Sequence, residues 1–251
     1  MTEKTRTLLA VLLMTALLLA ACGGGTGAPA PEAATSAPAE PAQSAATEAP
    51  EAPAQPAAPV QVRIGWGGSP DTLNPGTATL AEAYTLFELV YSSMYELNLD
   101  GSYSPDLARS LDASDDGKVL TFTIRDDLKW HDGQPVTAQD VVFSYQFYQK
   151  HEDFPFMPVY TEYFETVEAP DDQTVVLTLT EPIPNLESQL FWLFILPKHI
   201  WAEYDTPTGA VEFTNEAMIG SGPFKMKEYK QGEFVHLEAV KDHPWAPKID
   251  E

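Results

Sequence analysis

Where the apolar residues lie limits what this chain can fold into more than how many there are. Gly23–Pro59 holds eight prolines, much Ala, Glu, Ser and Thr, and no aromatic residue, Leu, Ile or Val. Such a segment has nothing to bury that would offset the entropy of ordering, so it is expected to stay disordered. Pro and Ala bias it toward extended, semi-rigid stretches. Its charged side chains are four Glu with no base, which opposes collapse. A core can form only in Val60–Glu251.

The other apolar stretch is of a different kind. Lys4 and Arg6 precede Leu8–Ala21 (LLAVLLMTALLLAA). At 14 residues it is shorter than the roughly 20 that span a bilayer as a helix. A basic start, a short apolar run and a small-residue end describe a secretory signal peptide. The run ends Leu19-Ala20-Ala21-Cys22-Gly23 and contains the only cysteine. This resembles a bacterial lipobox, in which cleavage leaves Cys22 as an acylated N-terminus. Acyl chains contribute about 0.8 kcal/mol per buried CH₂, so two or three anchor stably. Three segments follow: a leader over 1–22, a tether over 23–59 and a folded part over 60–251.

Charge excludes several functions. The chain has 37 Asp and Glu against 14 Lys and Arg, a formal net charge of -23, nearly all of it in the folded part. Binding nucleic acid needs clustered bases to neutralise phosphate, and a polybasic membrane patch needs the same. One cysteine forms no intrachain disulfide, and no CxxC or Cys/His spacing suggests zinc. The five histidines (His131, His151, His199, His236, His243) show no i,i+4 or short-loop ligand spacing. Walker, G-x-G-x-x-G and G-x-S-x-G patterns are lacking. No catalytic residue, metal or cofactor is assigned.

Within the folded part, Val60, Val62, Ile64 and Trp66 alternate as in a strand. Gly67–Pro75 is dense in turn-formers. Thr79 with Glu82 reads as a capping box ahead of a helix bearing Ala83, Tyr84, Phe87, Val90, Tyr91 and Met94. Asp100-Gly101, Asp116-Gly117 and His131-Asp132-Gly133 mark turns. Leu120, Phe122 and Ile124 alternate along a half-buried strand. Thr137 with Asp140 caps a second helix, with Val141, Val142, Tyr145 and Tyr148 on one face. Val167–Leu179 reads as a hairpin about Pro170–Gln173. Leu186–Leu196 is expected to be a buried helix followed by an extended segment. Gly220-Ser221-Gly222-Pro223 is expected to be a rigid turn whose glycines supply backbone angles closed to other residues. Phe224–Tyr229 and Phe234–Val240 should pair around Lys230–Glu233. Hairpins interleaved with helices give an α/β or α+β class.

Motifs spread in order along the folded part resemble one family. Asp71-Thr72-Leu73-Asn74-Pro75 is similar to the D-x-L-N-P loop of family 5 bacterial extracellular solute-binding proteins. Lys129-Trp130-His131-Asp132-Gly133, with Pro135–Ala138 and Asp140–Phe143, resembles that family's most recognisable stretch. Leu196-Pro197-Lys198-His199 is similar to its V-P-K-H segment, and Gly220–Phe224 to its G-T-G-P-Y turn. The resemblance implies an α/β, periplasmic-binding-protein-like fold of the second type. Only the first lobe and its inserted subdomain fall within these residues, since members continue into a second lobe. It also implies an extracytoplasmic, lipid-anchored, monomeric component of an ABC importer. Such a protein captures peptides or related solutes for a permease and an ATPase, and performs no chemistry itself. Nickel chelates or oligosaccharides are alternative ligands on the same fold.

Ligands of α/β folds commonly meet loops at strand ends. Leu73 and Asn74 are therefore candidate cleft residues; a loop-fastening Asn is the competing reading. Phe191, Trp192 and Phe194 could form an apolar cleft wall, against core packing as the alternative. Gly220, Gly222 and Pro223 are assigned to a turn near a hinge. Two other classes compete: an anchored hydrolase, which would use Asp132 or Asp140, and a surface adhesion protein, suggested by the tether.

Overall fold

The computed structural model describes residues 59–251. The leader, Cys22 and nearly all of the tether lie outside them. Helix α1 (Ala81–Val90) is followed by a hairpin of β1 (Tyr95–Leu97) and β2 (Tyr103–Pro105). Strands β3 (Ala108–Ala113) and β4 (Val119–Ile124) lead into α2 (Ala138–Lys150) and α3 (Met157–Thr161). Then come β5 (Phe164–Glu168), β6 (Thr174–Leu179), α4 (Leu186–Trp192), α5 (Lys198–Trp201) and α6 (Pro207–Glu212). A last hairpin joins β7 (Phe224–Lys230) to β8 (Phe234–Ala239).

The central sheet has the order β3-β4-β6-β5, each pair antiparallel. Its two inner strands show why. Leu120, Phe122 and Ile124 of β4 are buried, as are Val175, Leu177 and Leu179 of β6, and the register sets Leu120 opposite Leu177 and Phe122 opposite Val175. Period-two alternation thus places one continuous apolar face under helix α2. Tyr145 of that helix meets Phe164 with ring centroids 5.4 Å apart. Gln146 and Gln149 donate side-chain N–H groups to the carbonyls of Val167 and Phe164, at 3.2 and 2.6 Å.

Helix α2 begins as its sequence requires. Thr137 is its N-cap, and the reciprocal Thr137–Asp140 capping box is formed. Asp140 also accepts Lys198 N–H at 3.1 Å, while the Ser144 hydroxyl accepts Leu196 N–H at 2.8 Å and Tyr148 donates to Phe194 O at 2.8 Å. These bonds hold the extended Leu193–Pro197 segment against the helix. The turns also form where expected, with Gly101, Gly117, Gly133 and Gly232 all at positive φ.

Three expectations are corrected. Val60–Trp66 forms no strand. Its backbone bonds go to Asp250 and Glu251, and Val60, Val62, Ile64 and Trp66 are exposed, Ile64 at 82%. Alternation becomes a buried strand only where a full ladder and a packed face both exist; among the described residues this segment has only those few bonds near Val60 and no packed face. Thr79–Glu82 is not a capping box: the N-cap of α1 is Leu80, without a side-chain cap. Thr79 instead gives its N–H and hydroxyl to Asp71 at 2.8 and 2.7 Å. A tertiary carboxylate eight residues upstream has displaced the local cap. Finally, Gly220 and Gly222 do not adopt the positive φ expected of them. They are glycine because backbone crosses backbone there.

Candidate functional site

The candidate site lies on one flank of α1. Four aromatic side chains converge on an open concavity of about 370 Å³: Tyr84 from α1, Phe156 and Tyr160 at α3, and Trp192 from the end of α4. Tyr84 and Trp192 stand almost at right angles (82°) with centroids 5.6 Å apart, and Tyr160 stacks on Trp192 at 6.4 Å. Phe156 meets Tyr84 edge-on at 6.4 Å. Helix α1 splits its faces to achieve this. Ala83, Leu86, Phe87 and Val90 enter the core. Ala81, Tyr84, Thr85 and Glu88, at the complementary helical spacing, line the concavity.

The polar groups are few. Thr79 stands at the rim, tied to Asp71 as described. These bonds hold the Asp71 carboxyl below its usual range against the opposing effect of burial. Burial pushes the Tyr84 phenol well up, so it remains a donor, and it gives its proton to Ala78 O at 3.2 Å. Glu88 is the one acid in the lining, and partial burial raises its pKa. Glu88 makes no ion pair among the described residues. An aromatic wall with a few fixed polar groups suits recognition of a small ligand. Among the described residues no group of three or more His, Cys, Asp or Glu is placed to hold a metal ion. No described helix is long and apolar enough to cross a membrane.

Of the five expected cleft residues, Trp192 alone lines this concavity. Leu73 and Asn74 are buried, Asn74 completely. Asn74 accepts Gly76 N–H at 2.9 Å and donates to Ala210 O and Phe213 O at 2.9 and 3.0 Å. Both amide hydrogens are used, so Asn74 fastens the loop rather than facing a cleft. Asn215 reinforces the same junction by donating to Leu73 O at 2.7 Å. Phe191 and Phe194 are core residues. Phe194 packs on Phe87 at 5.7 Å, and Phe191 on Tyr103 at 5.9 Å. Tyr84, Glu88, Phe156 and Tyr160 were missed. The α1 residues left a signal, a stripe at 81, 84, 85 and 88 mixing polar and apolar types, but Phe156 and Tyr160 reach it only by tertiary packing.

The Gly220–Pro223 turn lies against the far end of α1, where Gly222 N–H donates to Val90 O at 2.8 Å. Two histidines clamp it. His131 Nδ1 faces Gly220 N–H at 3.2 Å, and its Nε2 faces Gly222 O at 3.0 Å. An amide can only donate and a carbonyl only accept, so His131 is the neutral tautomer protonated at Nε2. His243 repeats the arrangement, with Nδ1 accepting Trp245 N–H at 3.1 Å and Nε2 donating to Ser221 O at 3.1 Å. Burial lowers both imidazole pKa values, Lys225 lowering His131 further and Arg125 lowering His243. Neither sequence position announced this role.

Comparison with known proteins places the chain in a family. Residues 102–251 match the middle part of the bacterial extracellular solute-binding proteins, family 5. A putative ABC transporter peptide-binding protein of Brucella ovis is 32% identical over 193 residues, covering 74% of this chain and 36% of that protein. The oligopeptide-binding protein AppA of Bacillus subtilis, solved with a nonapeptide, superposes with a TM-score of 0.67 at 30% identity, covering 73% of this chain and 37% of that one. NikZ of Campylobacter jejuni, solved with Ni(L-His), gives 0.61 at 30% identity, covering 74% and 35%. The chain thus spans about a third of the length of the proteins it matches. With those matches, the chain belongs to the bacterial extracellular solute-binding proteins, family 5.

Proposed function

We propose that this chain supplies one wall of the ligand cleft of an extracytoplasmic ABC-importer receptor that captures peptides or related small solutes. The observation carrying this reading is the concavity walled by Tyr84, Phe156, Tyr160 and Trp192. Its size and aromatic lining suit a few residues of an extended chain, with aromatic rings giving contact area at low entropic cost. Similarity to peptide-binding relatives supports the same ligand class. Closure of a second wall over the ligand would exclude water, and water left in side-chain pockets would make capture tolerant of sequence. No bond is made or broken; ATP hydrolysis and translocation belong to a partner ATPase and permease. Cys22, acylated after leader removal, would anchor the receptor as a monomer, and Gly23–Pro59 would space it from the membrane.

Titration calorimetry of the protein with short peptides tests the ligand class. Binding of peptides, weakened several-fold or more by Trp192→Ala, is the expected result. Binding only of an oligosaccharide or of a nickel–histidine chelate would replace peptide as the ligand. Metabolic labelling with a radioactive fatty acid tests the anchor, which Cys22→Ser should abolish.

A further inference from the structure

The Gly220–Pro223 turn is held by two rings that must stay uncharged to hold it. Gly220, Ser221 and Gly222 are buried, and the turn covers the end of α1. Gly222 N–H donates to Val90 O at 2.8 Å, and the Ser221 hydroxyl faces Ser92 N–H at 3.4 Å. His131 and His243 reach this turn from separate parts of the chain. Each takes a backbone amide on Nδ1, Gly220 N–H at 3.2 Å and Trp245 N–H at 3.1 Å. Nε2 of each ring already carries the hydrogen given to Gly222 O or Ser221 O. A further proton must therefore go to Nδ1, where it sets donor against donor at those distances and leaves a charge beside a buried turn.

The surrounding charges offer little compensation. His131 is faced by Asp132, whose carboxylate is already bonded to His199 Nε2 at 2.7 Å, and by Lys225 of β7. His243 is faced by His131 and by Arg125 and Asp127, which are bonded to each other at 2.6 and 2.9 Å. Arg125 also covers the Trp245 ring at 4.0 Å. A proton on one imidazole thus meets cations as well as spoken-for carboxylates.

We infer that this turn is a proton-operated latch on the C-terminal end of α1, closed while His131 and His243 are neutral and opened by their protonation in an acid medium. Burial holds both imidazoles below the ordinary 6.5. The latch is therefore fully closed above about pH 6.5 and loosens as pH falls through the lower folded values. Opening frees Val90 O and the last turn of α1, where Tyr91 N–H bonds Phe87 O at 2.8 Å. Glu88 lies in that last turn and Tyr84 one turn before it, so the latch sets how firmly the α1 wall of the concavity is held.

Amide hydrogen exchange of the full chain tests this, read residue by residue by NMR at about pH 7.5 and about pH 5 and corrected for the intrinsic pH dependence of exchange. Protection at Gly220, Gly222, Trp245 and Tyr91 should fall about tenfold or more at the lower pH, the effect of losing one buried hydrogen bond, while the amides of β4 should change much less. His131→Asn combined with His243→Asn keeps an acceptor for each amide on a side chain that cannot be charged, and should abolish the fall. Should that pair fail to fold, the ring-proton titrations of the two imidazoles in the unaltered chain serve instead, and their midpoints should coincide with the loss of protection. Unchanged protection at the turn, a fall no greater than that in β4, a fall that persists in the double variant, or one that tracks neither imidazole overturns the inference.

Discussion

Adding one methyl group at Gly220 should be among the most damaging small changes this chain can suffer. A Cβ there would lie 1.9 Å from Val90 O, 2.7 Å from Val90 C and 2.9 Å from Val90 Cγ1. Real Cβ contacts essentially never fall below 3.0 Å, so turn and helix end must separate by more than an ångström. That shift breaks Gly222 N–H to Val90 O (2.8 Å) and misaligns Gly220 N–H on His131 (3.2 Å). Overpacking costs about 1–3 kcal/mol, and each buried hydrogen bond lost adds about 1 kcal/mol. Gly220→Ala should therefore destabilise by about 3–5 kcal/mol, a large part of the stability of an ordinary domain. Two controls separate causes. Gly232 has φ +75° but open space around its Cβ, so Gly232→Ala should cost about 1–2 kcal/mol from backbone conformation alone. Gly65 has neither constraint, and its substitution should stay within about 0.5 kcal/mol. Urea unfolding followed by tryptophan fluorescence gives the three midpoints. A Gly220→Ala midpoint equal to that of Gly232→Ala would refute the argument that close approach, not dihedral freedom, demands glycine in this turn.

Three other outcomes are expected. Asn74→Ala strands Ala210 O, Phe213 O and Gly76 N–H inside the loop junction and should cost at least about 2 kcal/mol in the same assay; a change below 0.5 kcal/mol, by the standard of surface substitutions, would contradict the fastening role. Asp106 has its carboxyl enclosed, and burial pushes its pKa up to about 7 despite the bond from Ser93 N–H at 3.0 Å. Its folded form binds a proton more readily than the unfolded chain, so this group makes stability rise as pH falls from about 7 toward 4. Asp106→Asn should therefore stabilise the protein at pH 8 and remove that rise, which urea midpoints at pH 8 and 5 would check. The histidines act in the opposite sense. With folded pKa values held below the ordinary 6.5, His131 and His243 are protonated more easily in the unfolded chain. Their contribution is present in full above about pH 6.5 and is lost as pH falls below it. In the Asp106→Asn background the midpoint should drop between pH 7 and 5.5, and a flat profile there would show that the histidine clamps are not neutral.

Local pattern determined a good part of this protein. Period-two alternation in Leu120–Ile124 and Val175–Leu179 sufficed to place two sheet strands, because one face is buried and each register is fixed by it. The Thr137–Asp140 box and the positive-φ glycines at 101, 117 and 133 are likewise local, since each is satisfied within four residues. The ordered motifs were enough for the family. The site was less legible. Trp192 was among its candidates, but Phe191 and Phe194, of the same type and two residues away or fewer, turned into the core. Nothing local distinguishes them, because which side of α4 faces the concavity depends on α1 and α3 packing against it. Asp71 displaced an apparent cap at Thr79, and Asn74 found acceptors 136 and 139 residues away. His131 and His243, unremarkable in sequence, became neutral clamps only because a turn 89 residues beyond one of them brings its amide to that ring. Sequence thus determined what short-range sterics and hydrophobic period can decide. Tertiary structure decided partner choice, because a hydrogen bond or an aromatic contact is indifferent to the length of chain between its ends.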